Sequence, residues 1–286
     1  METTDAVEPD PSPEAPATAA AVNPHAVTEL RPQPHAVDTH CHLFLMEAQA
    51  ADAVAAARRE GVARLLCVGI DVESSQRSLD LAESFRGVFA TAGMHPHTAS
   101  DLDAGAGARI EEMLAHPLVV GVGETGLDYY RRLSPVEDQR RAFRAHVALS
   151  RETDKPLVVH VRDAWEDALA DLQAERAERV VLHCFTGDLS VAHEAAARGY
   201  HVSFAGNVTY PNATRIRDAV AALPSDRIVA ETDSPFLPPQ SMRGSSNVPE
   251  NVMAVIAALA EVRSLDVHEM VAATTENALA AFPLMR

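Results

Sequence analysis

The chain has 286 residues, 47% of them hydrophobic, and a formal net charge of −17. That length suits one large α/β barrel or two ordinary domains, and no run approaches the ~18 apolar residues of a membrane span. The acidic balance excludes a broad basic nucleic-acid surface, so any nucleic-acid contact has to be local or carried by bound metal.

The first stretch differs from the rest. Residues 1–36 hold seven of the 18 prolines, and residues 1–30 hold six acids and no Lys or Arg. A disordered, acidic, Pro/Ala-rich tail is expected over residues 1–35. It lacks the basic and apolar regions of a secretory signal. Three cysteines (Cys41, Cys67 and Cys184) give no paired disulfide framework, which fits a reducing cytosol and a cytoplasmic protein.

From Ala36 onward, β-rich runs alternate with alanine-rich helical stretches. Strands are predicted over 36–38, 64–70, 88–93, 119–124, 157–160, 180–183, 201–204 and 228–231. Several are continuous apolar runs, such as Leu65-Leu66-Cys67-Val68, as parallel strands buried on both faces require. Helices are predicted over 47–60, 74–85, 108–114, 135–152, 163–177, 189–198, 212–222, 248–262 and 266–280. Ser134-Pro135-Val136-Glu137 reads as a helix start with Pro at N1 and Glu at N3. Eight β-then-α repeats give an α/β fold, a (β/α)8 TIM barrel over residues 36–286. The rival is an open doubly wound sheet, but no G-x-G-x-x-G or phosphate-binding G-x-x-x-x-G-K-[ST] follows a strand.

Metal-binding residue types recur at the C-terminal ends of the predicted strands, where barrel active sites lie. His40 and His42 are two apart, so an extended strand points them to one face, where they can grip one cation. Glu124, His160, His183 and Asp233 close later strands, and His95 closes the third. Each alone reads as a hydrogen-bonded histidine or a loop-capping acid. Together, ionised acids at the ends of Val-rich strands require a cation or firm hydrogen bonds. Four imidazoles and two carboxylates suit two divalent ions: His40, His42 and Asp233 on one, His160 and His183 on the other, and Glu124 bridging. Asp233 is placed to take a proton from water, and His95 to contact substrate phosphate or support a ligand.

The motifs Asp38-Thr39-His40-Cys41-His42-Leu43, Gly93-Met94-His95-Pro96-His97, Gly123-Glu124-Thr125-Gly126-Leu127-Asp128-Tyr129-Tyr130, His160-Val161-Arg162-Asp163-Ala164, His183-Cys184-Phe185-Thr186-Gly187, Glu231-Thr232-Asp233-Ser234-Pro235-Phe236-Leu237 and Arg243-Gly244 with Asn247 and Pro249 run in one order along residues 36–286. In this the chain resembles the TatD family of metal-dependent deoxyribonucleases, within the amidohydrolase-like barrels. The resemblance implies a two-metal barrel with His40, His42, Glu124, His160, His183 and Asp233 as ligands. It also implies hydrolysis of phosphodiesters in DNA, often as a 3′-5′ exonuclease on single strands, supported by magnesium or manganese. Val161 and Thr39 stand where the family often has threonine and serine, and neither is a proposed ligand.

Further substrate contacts are expected from Arg243 as a phosphate clamp, from Arg162 unless it pairs with Asp163, and from Tyr129 or Tyr130 by stacking unless they plug the barrel mouth. Cys41 and Cys184 adjoin ligand histidines, but alternation should turn them away as small buried residues. His146 is assigned no function. Two other functions compete with the nuclease: hydrolysis of another ester or amide, such as an aminoacyl-tRNA ester, and metal-stabilised binding without turnover. Zinc, iron or nickel would also suit the donors. No membrane association or obligate protein partner is expected.

Overall fold

The protein is described here by a computed structural model that covers Met1 and residues 35–286; the acidic tail expected over residues 1–35 therefore lies almost wholly outside the described residues. The strands are β1 (Ala36–Cys41), β2 (Val62–Val68), β3 (Val88–Ala92), β4 (Val119–Asp128), β5 (Leu157–Arg162), β6 (Val180–Leu182), β7 (His201–Phe204) and β8 (Ile228–Ala230). They form one eight-stranded sheet in chain order, each strand parallel to the next.

The sheet closes between β1 and the segment after β8. Cys41 and Ser234 form a parallel bridge, the Asp233 N–H donates to the His40 carbonyl at 2.9 Å, and the His42 N–H donates to the Ser234 carbonyl at 2.7 Å. The wholly buried Asp38 reinforces the seam, accepting from the Thr232 N–H at 2.9 Å and hydroxyl at 2.6 Å. This is the (β/α)8 barrel that the eight repeats predict.

The helices are α1 (Ala50–Arg59), α2 (Val72–Ser84), α3 (Ala104–Leu114), α4 (Val136–Thr153), α5 (Trp165–Ala174), α6 (Leu189–Ala197), α7 (Thr214–Ala222), α8 (Val252–Arg263) and α9 (Val267–Ala281). Their starts differ from expectation for local reasons. α2 begins early because Asp71 and Ser74 form a reciprocal capping box. α5 begins late because Asp163 has φ 55°, a left-handed conformation that cannot start a right-handed helix. Pro135 is the N-cap of α4 rather than its first helical residue. The Ser134 hydroxyl, free to cap in the sequence reading, donates instead to the His97 carbonyl at 3.0 Å.

Strand alternation divides the core. Leu65 and Cys67 pack with the helices, whereas Leu66 and Val68 join Val120, Val158, Val181 and Val229 in a second cluster that includes Phe282. Each such buried aliphatic contributes roughly 1.5–3 kcal/mol relative to exposure. Two polar devices tie the outer layer. Asp171, 1% exposed, holds Arg140 from α4 through two bonds of 2.7 and 2.9 Å. Lys155, the single lysine, is 8% exposed and directs its ammonium into the carbonyls of Leu114, His116 and Val119. Among the described residues, no helix is long and apolar enough to cross a membrane.

Candidate metal centre

Glu124 lies at the centre of the C-terminal face, and its two oxygens look in different directions. Oε2 faces His40 Nε2 at 3.4 Å and His42 Nε2 at 3.9 Å, both from β1 and its end. Oε1 faces His183 Nε2 at 3.0 Å, His160 Nδ1 at 3.1 Å and His95 Nε2 at 3.5 Å. Asp233 joins the first group, with Oδ1 3.3 Å from His42 Nε2 and 3.8 Å from His40 Nε2. Gly93 and Gly123 make room for this centre, since a Cβ on Gly93 would meet the Gly123 Cα at 2.4 Å.

The outer nitrogens reveal which ring atoms carry protons. His42 Nδ1 lies 2.9 Å from the Val68 carbonyl and His183 Nδ1 lies 2.9 Å from Glu231 Oε1; both partners are acceptors, so both Nδ1 atoms donate. That leaves an Nε2 lone pair on each neutral ring, aimed at the centre. His160 Nε2 faces Asp128 Oδ2 at 3.5 Å, a charge contact too long for a firm bond, and Nδ1 points inward. His95 is the reverse case. Its Nδ1 accepts the His97 N–H at 3.1 Å, so in the neutral ring Nε2 carries the proton that points inward. Although His95, Glu124 and His160 are close enough together to hold an ion, that tautomer makes His95 a hydrogen-bond donor and leaves His183 as the lone-pair donor beside His160.

The charges agree with this geometry. Burial alone would raise Glu124, but the imidazoles of His183, His95 and His40 outweigh it and hold the carboxyl well below its usual range. Burial would likewise raise Asp233, and its bond to His42 outweighs that and lowers it. Burial would lower His183, yet Glu124 and Glu231 raise it well above an ordinary imidazole. His95 shows burial winning: it is held well below the ordinary value and stays neutral.

Imidazole nitrogens facing ionised carboxylates at 3.0–3.5 Å need positive charge between them, supplied either by a second proton on a ring such as that of His183 or by a bound cation. This donor set therefore fits divalent cations, because imidazole nitrogens and carboxylate oxygens converge on buried side chains. His40, His42, Glu124 and Asp233 could hold one; His160, His183 and the other oxygen of Glu124 could hold a second.

The remaining predicted residues are divided. Arg162, at the end of β5, stacks its guanidinium 3.9 Å from the Tyr130 ring centre, with no ion pair to Asp163 among the described residues. Arg243 stacks 4.8 Å from the Tyr210 ring. The Tyr129 hydroxyl donates to Asp167, in the first turn of α5, at 2.7 Å, and Tyr130 beside it is 63% exposed. Cys41 is buried as expected, but Cys184 is not: at φ 43° it departs from strand alternation and is partly exposed.

Sequence reasoning gave no orienting role to Glu231, which holds both His183 Nδ1 and the Cys184 N–H at 2.9 Å. Its spacing of two from Asp233 was the available signal. A cavity of about 640 Å³ opens at the opposite strand ends among Arg58, Arg64 and Arg86. It is remote from these donors, so its size is no guide to the chemistry.

Comparison with known proteins gives one answer. A family described as TatD related DNase matches residues 37–283. The uncharacterized metal-dependent hydrolase YabD of Bacillus subtilis (strain 168) is 38% identical over 249 residues, covering 86% of this chain and 98% of its own. A protein of Erwinia amylovora named 3′-5′ ssDNA/RNA exonuclease TatD is 35% identical over 236 residues, covering 80% of this chain and 91% of its own. The crystal structure of YJJV, a TatD homologue from Escherichia coli K12, superposes with a TM-score of 0.82 at 28% identity, covering 86% of this chain and 97% of the other.

Proposed function

The chain belongs to the TatD related DNase family of metal-dependent hydrolases, and from that premise we propose that it cleaves phosphodiester bonds in DNA, removing nucleotides from the 3′ end of single strands. The observation that carries this reading is the division of Glu124, whose two oxygens each serve a separate set of imidazoles. Two divalent ions would be held, His40, His42 and Asp233 holding one, His160 and His183 the other, and Glu124 both. Magnesium or manganese suits turnover, and zinc, iron or nickel would also suit these donors. Such ions supply Lewis-acid polarisation of a phosphoryl group and an acidified water.

The chain's own residues do the rest. Asp233, held ionised beside His42, accepts a proton from the attacking water. His95, neutral with Nε2–H pointing inward, donates a hydrogen bond to a phosphoryl or leaving oxygen. Glu231 and the Val68 carbonyl fix the tautomers of His183 and His42, and Asp128 supports His160. Arg162, at the end of β5, and Arg243, in the loop after β8, lie on the same face and supply phosphate contacts to a chain of net charge −17. The relative named an ssDNA/RNA exonuclease supports the substrate and polarity.

Digestion of end-labelled single-stranded DNA with magnesium, manganese or EDTA, beside Glu124→Ala, tests this. Stepwise shortening from the 3′ end that is lost in EDTA and in the variant is the expected result. Metal-loaded, folded protein that leaves DNA intact would defeat the nuclease reading.

A further inference from the structure

The exposed apolar side chains are unevenly distributed. Phe236, Tyr130, Leu133, Leu45, Met242 and, at the start of α6, Leu189, between 40% and 63% exposed, stand on segments that follow strands, at the face that carries Glu124, whereas Leu265, Val267 and Leu284 lie toward the C-terminus of the chain. Exposed apolar surface gathered at a catalytic mouth marks a binding surface rather than chance.

Phe236 is the most constrained of these. It is 52% exposed, and its ring centre is 5.9 Å from that of His42. Its backbone is nevertheless fixed: its N–H donates to the Asp233 carbonyl at 2.8 Å, and its carbonyl accepts the Asn247 amide at 2.7 Å. Asn247 is itself wholly buried. An aromatic ring with a pinned backbone and a solvent-facing surface is preorganised to bind something flat. On the other side of the centre, Tyr130 offers a second ring, backed by Arg162 at 3.9 Å.

We propose that Phe236 is a nucleobase-stacking surface that seats the base of the nucleotide being removed, with the Tyr130–Arg162 stack taking a neighbouring base. The inference rests on the nuclease reading and adds a recognition element to it. Stacking accepts any base because every base has a π face, so the preference is for unpaired bases and not for sequence. A paired terminal base is held by its partner strand and turns toward Phe236 only when that pair opens, so frayed or single-stranded ends are the favoured substrate.

The test uses two oligonucleotides of one length, one ending in a normal 3′ nucleotide and one in an abasic 3′ nucleotide, with wild-type protein, Phe236→Ala and Phe236→Trp. Metal content is measured for each. On the normal strand Phe236→Ala is expected to lose about 10- to 100-fold in kcat/KM, chiefly through KM, and Phe236→Trp to retain activity. On the abasic strand the wild-type protein falls to the level of Phe236→Ala. Wild-type digestion that Phe236→Ala leaves unchanged overturns the stacking role and spares the nuclease reading. An equal loss on both strands makes Phe236 a support for His42 and also overturns it. A wild-type protein that digests neither strand defeats the nuclease reading, and this inference with it.

Discussion

The two donor sets that share Glu124 are held by different means. Around Oε2, the main chain does the orienting: the Val68 carbonyl fixes His42, and the Asp233 N–H is tied to the His40 carbonyl. Around Oε1, side-chain carboxylates do it: Glu231 bonds His183 at 2.9 Å and Asp128 faces His160 at 3.5 Å. A carboxylate behind an imidazole raises its basicity as well as fixing its tautomer, whereas a carbonyl mainly fixes the tautomer. The first set is therefore insensitive to point substitution of its outer partners. The second can be tuned by them.

Several substitutions would break or sharpen this contrast. Glu124→Ala removes the group common to both sets and should cost about 10³-fold or more in rate with loss of metal from both, read by single-turnover kinetics and metal analysis. Retention of full metal content would mean the sets are independent of Glu124. Asp233→Asn keeps an oxygen near His42 but cannot take a proton; a loss of about 10²- to 10⁴-fold in kcat is expected, with a smaller effect on metal content. Glu231→Gln should weaken metal affinity of the second set by about 10- to 100-fold and leave the first alone. Equal weakening of both, in a metal titration of the apoprotein, would erase the distinction drawn here.

The smallest effect on activity concerns His146, which accepts the Met94 N–H at 3.0 Å and so anchors the loop carrying His95, beside the second set. Burial lowers His146 to about 4, from 6.5 in an unfolded chain. Between those values the unfolded chain binds more protons, so stability rises with pH there and is lost as pH falls from 6.5 toward 4. The loss amounts to about 3 kcal/mol at most. Urea unfolding of the EDTA-treated protein should show His146→Gln with a shallower dependence across that window. An identical slope would mean that His146 is not the group responsible.

Much of this architecture could be read from the chain, because a buried parallel strand writes itself as a short apolar run. The residue that ends such a run must lie on one face of the barrel. Glu124 and His160 needed nothing more. The failures come from features that depend on register between distant segments or on a single dihedral. Glu231 reaches His183 across 48 residues of sequence, and no local pattern announces that pairing. Cys184 and Asp163 adopt positive φ, which defeats both alternation and the expected helix start. Phe236 was embedded in a recognisable motif, yet its exposure depends on Asn247, which lies 11 residues further on.

The burial of Lys155 has a practical corollary for anyone who handles this protein. The chain's one side-chain amine is shut behind three carbonyls, so acylating dyes, amine cross-linkers and enzymes that modify lysine find no such group on the folded surface. The cationic surface is made of arginine instead. Immobilisation or cross-link mapping through side chains therefore calls for guanidine- or carboxyl-directed reagents, and a lysine introduced at any chosen surface position would become a unique side-chain address.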